Sequence, residues 1–243
     1  WPNIMMDLQP VTGNADIEVH SYISLASQSI YRGVADSPRS PVASAALDIS
    51  IASGWFLDGW IGKIARYRPF ADEHYASATS AWPQDLPVGD APTKDVIQAD
   101  IDAGYGFAVS PQWQAAISHA WLRHNALYQN NNYQEWRVYG AYRSLLSLQL
   151  AYADDYRQSG SRYWNTDAQL QYPLDKSLIL QGALGQTLGL VPGESEHKHP
   201  YGWVGVAWQA APFLVTLRAH HATNLEDFKT THRLELQLTW GSG

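Results

Sequence analysis

The chain has 243 residues with 16 Lys+Arg against 23 Asp+Glu, and its net charge of −7 excludes a polycation built to coat nucleic acid. Only 16% of residues are charged while Trp numbers 11 and Tyr 14, which excludes a disordered chain, and no run of about 18 apolar residues offers a transmembrane helix. The absence of Cys removes disulfides, thiolate nucleophiles and Cys-ligated metal centres.

In chain order, Trp1-Pro2-Asn3-Ile4 shows neither the basic start nor the apolar stretch of a signal peptide, which fits a mature exported chain and a cytosolic one alike. Residues 1–15 are expected to form an N-terminal periplasmic segment ahead of one domain over 16–240. From there the pattern is alternation, the period of a strand with one apolar and one polar face. Segments 16–33, 42–52 and 55–66 read this way. In 96–107 the pattern is clean, with Ile97, Ala99, Ile101, Ala103, Tyr105 and Phe107 opposing Gln98, Asp100 and Asp102. Segments 113–126, 133–143 and 147–157 follow. In 163–172, Trp164, Ala168, Leu170 and Tyr172 oppose Asn165, Asp167, Gln169 and Gln171. Then come 177–188, 200–210 and 213–223. The last, 227–240, interleaves Leu234, Leu236, Leu238 and Trp240 with Arg233, Glu235, Gln237 and Thr239. Gly241–Gly243 reads as an appended tail. About twelve strands result, an even number.

The connections have their own period. Short turns such as Ser53-Gly54, Ser110-Pro111-Gln112, Ser144–Leu146, Pro173–Lys176 and Ala211-Pro212 alternate with mostly longer polar loops at 35–41, 67–95, 127–132 and 189–199. In a meander the long loops fall at one end and the tight turns at the other, the asymmetry of outer-membrane barrels. Alternation alone does not say which face is wet, because a soluble sandwich buries its apolar stripe whereas a membrane barrel turns it to lipid. Three features favour lipid. Strands of about 10–14 residues suffice to cross a ~25 Å apolar band at a ~40° tilt. Twelve strands in hairpin order close without an edge. Aromatics gather near strand ends, namely Trp55, Trp60, Trp113, Trp136, Trp164, Trp203, Trp208 and Trp240 with Tyr105, Tyr133, Tyr163, Tyr172 and Tyr201, as expected of two interfacial girdles. The expected fold is therefore all-β, a single transmembrane antiparallel up-and-down β-barrel with both chain ends on the periplasmic side.

The stretch Ser24–Ser37, followed by Leu47-Asp-Ile-Ser50 and Ser53-Gly-Trp-Phe-Leu-Asp-Gly-Trp60, resembles the N-terminal signature of the TorF-like (Gcw) group of proteobacterial outer-membrane proteins. Its order of aromatic-Arg-Gly turn, Pro41, Asp48, Ser53-Gly54 and Trp60 is retained between Ser24 and Ile64. Gly62 stands where members commonly carry Ser. The resemblance implies a barrel in the outer membrane of a Gram-negative bacterium and, the group being largely uncharacterised, neither reaction nor substrate. The ending Leu238-Thr-Trp240 is similar to the aromatic-terminated last strand read by the barrel assembly machinery.

With the apolar stripe toward lipid, the expected inward set is Glu18, His20, Gln28, Arg32, Asp48, Lys63, Asp100, Asp102, Arg137, Arg143, Gln149, Asp167, Gln169, Gln171, Gln181, Arg218, His220, Arg233, Glu235 and Gln237. Twelve strands lie between the filled eight-stranded barrel and the wide sixteen-stranded one, so either a narrow polar path or a packed interior is consistent. The expected function is a small passive, porin-like diffusion channel for small polar solutes, lined by Arg32, Asp48, Lys63, Asp100, Asp102, Arg137, Arg143, Arg218, Arg233 and Glu235. The alternatives are a closed barrel serving as surface scaffold or receptor through loops 67–95 and 189–199, and a lipid-modifying membrane enzyme. Expected partners are outer-membrane lipid and lipopolysaccharide, the solutes, and the assembly machinery during insertion, with no nucleic acid and no cofactor.

No catalytic or metal residue is assigned. Glu194-Ser-Glu-His197-Lys-His199 has a His-x-His spacing but reads as a solvated loop. His220 and His221, adjacent in a strand, point to opposite faces and cannot chelate together. Ser118-His119 and His124-Asn125 offer the residue types of a hydrolase without a recognisable arrangement.

Overall fold

The computed structural model describes residues 17–28, 30, 31, 34, 35, 41–67, 94–124, 132–155, 161–190, 197–224 and 229–242. Twelve long strands, all paired antiparallel, form the sheet: β1 (Ile17–Ala26), β4 (Val42–Ile51), β5 (Trp55–Tyr67), β6 (Lys94–Ala108), β7 (Trp113–His124), β8 (Tyr133–Tyr142), β9 (Leu146–Ala153), β10 (Arg162–Pro173), β11 (Leu178–Leu190), β12 (His197–Ala210), β13 (Phe213–Asn224) and β14 (Lys229–Ser242). Between β1 and β4 lies a two-stranded ribbon of β2 (Ile30–Tyr31) and β3 (Val34–Ala35). Each long strand after β4 pairs with its predecessor in sequence, and β1 pairs with both β4 and β14, so the sheet closes into a barrel. The expected twelve-stranded meander is what forms. Pairing continues through Gly241 and Ser242, opposite Tyr22 and Ser21, so the expected tail is in part strand. Residues 1–16 lie outside the described set.

The side-chain alternation resolves the question of faces. Leu184, Val204, Leu234 and Leu236 are 73%, 65%, 64% and 52% exposed, while Asp102, Glu135 and Arg137 are at most 1% exposed. Apolar side chains point out and ionic ones point in, the reverse of a soluble barrel, where burial of the apolar stripe drives folding. A 12-residue strand tilted by ~40° rises about 30 Å, enough for the apolar band. Two aromatic groups mark its edges. At the short-turn end, Trp55 meets Tyr105 edge-on at 5.3 Å and Trp113 lies 5.2 Å from Tyr142, with Tyr172, Trp208 and Trp240 exposed nearby. Toward the long loops, His119 sits between Trp121 and Trp136 at 4.5 and 4.6 Å, and Tyr152 lies 4.5 Å from Trp164.

Five of the aromatics expected in these girdles face inward instead. Tyr133, Tyr163 and Tyr201 are buried, Trp60 shares the face of Asp58, and Trp203 shares that of Tyr201. The reason is parity: Trp60 is an even step from Asp58 and an odd one from Ile61, and the same rule separates Trp203 from Val204. Inward glycines make room for these rings. A Cβ on Gly62 would stand 2.5 Å from Cζ2 of Trp60 and 2.8 Å from Cβ of Ser44.

All the short turns lie at the end where Ile17 and Ser242 also sit. In the β4–β5 turn Gly54 adopts φ 98°, a conformation costly for a residue with a Cβ, and its carbonyl accepts a 2.8 Å bond from the Gly106 amide. In the β10–β11 turn, Oδ1 of Asp175 accepts from the Ser177 and Leu178 amides at 2.7 and 2.8 Å and from the Ser177 hydroxyl at 3.0 Å. These backbone donors hold the Asp175 carboxyl below its usual value.

Two outcomes follow. Leu236→Arg, placing a cation at the middle of the lipid face, should cost about 2–4 kcal/mol of folding free energy in urea titrations of vesicle-inserted protein. Because the folded-state value of Asp175 is depressed, its contribution is present above the unfolded value near 4 and lost as pH falls through the folded one. Asp175→Ala should therefore lower stability at pH 7, with a deficit that narrows below about pH 4.

Candidate functional site

The inner wall is the candidate site. Along β1, β4, β5 and β6 the register aligns His20, Asp48, Asp58 and Asp102 as direct cross-strand neighbours on the inward face. The register of three successive antiparallel pairs, β1–β4, β4–β5 and β5–β6, places them together. Asp102 is held by the opposite sign. Its Oδ2 accepts from Arg137 Nη1 at 3.0 Å and from the Tyr139 hydroxyl at 3.2 Å, while Arg137 Nε donates to Glu135 Oε2 at 2.9 Å. The side chains of these three ionic residues are 0% exposed. Gln98 Nε2 lies 2.8 and 2.9 Å from the two oxygens of Asp100.

A second cluster occupies the opposite wall. Arg218 Nη1 donates to Gln237 Oε1 at 3.0 Å and lies 3.5 Å from Glu235 Oε2, and its guanidinium sits 5.0 Å above the Trp203 ring. His220 Nε2 is 2.8 Å from the same Glu235 oxygen. The third cluster joins β10 to β12, where the Tyr201 hydroxyl lies 2.9 Å from Asp167 Oδ2 and 3.1 Å from Asn165 Oδ1.

Burial divides this interior. Between β7 and β10, Ala120, Leu122, Tyr133, Ala153 and Tyr163 form an apolar inward cluster toward the long-loop end. Glu18, His20, Asp48, Gln149, Asp167, Gln169, Gln171, His220 and Arg233 keep partial exposure. The accessible inner surface therefore runs along β1, β4 and β13–β14 and along the turn-side part of β9 and β10.

Acidic groups outnumber basic ones on this wall. Among the described residues it carries eight carboxyl groups, of Glu18, Asp48, Asp58, Asp100, Asp102, Glu135, Asp167 and Glu235, against the three guanidiniums of Arg137, Arg218 and Arg233. In a low-dielectric enclosure such an excess is felt over many ångströms.

Of the residues expected to line a path, Asp48, Asp100, Asp102, Arg137, Arg218, Arg233 and Glu235 face inward. Lys63 does not. It pairs with Ile97 on the outer row of Ile61, beside a register irregularity between Lys63 and Ala65, because it lies an even step from Ile61. Arg143 is off the wall as well. β8 stops at Tyr142, and Arg143 sits in the following turn at φ 49°, its amide donating to the Gln112 carbonyl and its guanidinium 5.4 Å from the Tyr142 ring centre. Arg32 and Glu194 to Glu196 lie outside the described residues. The expected inward set lacks Asp58 and Glu135; Glu135 lies two residues from Arg137, whereas Asp58 is flanked two residues away only by Phe56 and Trp60. Ser118 and His119 point to opposite faces, Ser118 buried inside and His119 among the outer tryptophans, so they form no nucleophile–base pair. Among the described residues no group of three or more His, Asp or Glu could hold a metal.

No protein-family profile matches the chain. No curated protein matches it either. Solved structures do: the KdgM porin superposes with a TM-score of 0.53 at 9% identity, over 92% of this chain and 98% of that one. The KdgM porin in complex with disordered oligogalacturonate gives 0.52 at 9% identity over the same shares. At this identity the likeness is one of fold, a closed barrel of the outer-membrane porin type.

The Arg137 cluster carries a prediction. Arg137→Met leaves two carboxylates buried without their cation and should destabilise the barrel by about 3–5 kcal/mol in vesicle unfolding. Adding Asp102→Asn and Glu135→Gln should recover most of that loss; a triple variant as unstable as the single one would show that Arg137 acts through packing alone.

Proposed function

We propose that the protein is a passive diffusion channel of a Gram-negative outer membrane, with a preference for small cationic or zwitterionic solutes over anions. The observation that carries this is the combination of an outward apolar face with an inner wall whose carboxylates outnumber its guanidiniums among the described residues. One structural neighbour was solved with oligogalacturonate, a polyanion. The carboxylate excess here argues for a different solute class, since like charge in a low-dielectric lumen repels by several kcal/mol at close range. Asp48 and Asp167, partly exposed and flanking the accessible surface, are the residues proposed to set the preference, with Glu18 beside them. Of the expected set, Asp48 and Arg233 line the path, while Asp100, Asp102, Arg137, Arg218 and Glu235, with Asp58 and Glu135, are buried in the wall behind it and act through their field. Contact with lipopolysaccharide, handling by the barrel assembly machinery and kinship with the TorF-like group belong to the same reading. The retained Ser53-Gly54 turn supports the kinship.

A second reading, a closed barrel presenting its long loops as a receptor surface, is favoured by one observation, the fully buried Asp102–Arg137–Glu135 cluster and the apolar residues beside it. Planar-bilayer recording separates the two. Purified protein should give resolved unit currents and, in a KCl gradient, a reversal potential of cation-selective sign that grows as salt is lowered. Asp48→Asn with Asp167→Asn should move that potential toward zero. Absence of unit current would leave the receptor reading; an anion-selective potential would overturn the proposed solute class.

A further inference from the structure

The outer face holds a histidine pair that the channel reading does not use. His221 on β13 and His232 on β14 are direct register partners. Both are exposed and both point away from the lumen, whereas their neighbours His220 and Arg233 point into it. Their rings stand 4.8 Å apart, and their Nδ1 atoms face one another across 3.4 Å. Two nitrogens bound at 2.0–2.1 Å to one tetrahedral metal ion lie about 3.3–3.4 Å from each other. The two Nδ1 atoms share a hydrogen bond in this arrangement, and its length equals the ligand-to-ligand spacing of a tetrahedral chelate, so an ion replacing the shared proton needs ring rotation but no change in the distance between the strands. Because the histidines sit on different strands of a hydrogen-bonded ladder, their spacing is fixed by the sheet, so little ordering cost remains when an ion binds.

Position suits an aqueous ion. β13 ends at Asn224 and β14 begins at Lys229, so the pair lies just below the β13–β14 loop, at the long-loop rim of the apolar band. Leu234 and Leu217 continue the same outer face away from that rim. The Thr223 hydroxyl is 3.5 Å from the other nitrogen of His221.

We propose that His221 and His232 form a two-histidine site on the outer rim for a borderline transition-metal dication, zinc or copper, whose remaining positions are taken by water. Imidazole nitrogens suit these ions, and without a carboxylate in the set the site should discriminate against magnesium and calcium. A bound ion would tie β13 to β14 and so stabilise the folded barrel through mass action.

The test uses untagged, detergent-folded protein with zinc and copper salts as probes. Calorimetry with zinc should show one equivalent bound to the wild type, and the copper-loaded protein should give an electron paramagnetic resonance spectrum split by two imidazole nitrogens. Zinc should also raise the urea midpoint of unfolding. His221→Ala and His232→Ala should each abolish the equivalent, the two-nitrogen splitting and the midpoint shift. His119→Ala, which removes the other described outward histidine, should keep all three. Should either single variant fold poorly, His232→Gln offers a near-isosteric replacement with the same expected loss. Wild type that binds no zinc, or variants at positions 221 and 232 that bind as wild type does, would overturn the assignment.

Discussion

Hydrocarbon offers the backbone no hydrogen-bond partner, and the fold follows from that constraint. An unpaired amide or carbonyl in lipid costs several kcal/mol, so a sheet can cross only if its first and last strands meet. Here they do: β1 is shared between β4 and β14, with Ser21 to Ala26 facing Ser242 to Gln237 on one side and Ile17 to Ala26 facing Ile51 to Val42 on the other. Once the ring is closed, every residue of a strand is committed to lipid or lumen, and the two-residue period converts a linear sequence into an apolar outside and an ionic inside.

The interior shows what that commitment costs. Charges forced inward are removed from bulk water, and the barrel offsets the desolvation by placing opposite signs within hydrogen-bonding distance: Arg137 between Asp102 and Glu135, Arg218 beside Glu235. Among the described residues carboxyl groups outnumber guanidiniums, so there are too few cations to pair with every acidic group. Large inward rings meet the same limit of space, and inward glycines relieve it; Trp60 lies over Gly62 for this reason. Packing and electrostatics thus favour different walls, with the apolar and fully paired groups on β6–β10 and the more accessible polar groups on β1, β4 and β13–β14.

The histidines illustrate how far alternation reaches and where it stops. That His220 and His221 cannot act together is a property of any strand, and the structure separates them as expected, one bonded to Glu235 inside and the other exposed outside. That His221 meets His232 depends on the β13–β14 register, set by the length of the loop between them, and no local pattern carries it. Arg143 and Lys63 show the complementary failure. The first was lost by one residue at a strand end, and the second was assigned by chemistry against its own parity with Ile61.

By itself the sequence determined the barrel: the alternation and the contrast of short turns with long loops are local properties, each readable within a window of a few residues, and the even number of strands is their sum along the chain. It also determined which face of most strands is ionic, as in Asp100 and Asp102 or Arg233 and Glu235. Only the tertiary structure decided which charges meet, because a cross-strand contact depends on the register between two strands rather than on the pattern within either one. The acidic row from Asp48 to Asp102 and the outward histidine pair need the registers of β4–β5–β6 and of β13–β14, and the Arg137 cluster needs β6, β7 and β8 side by side.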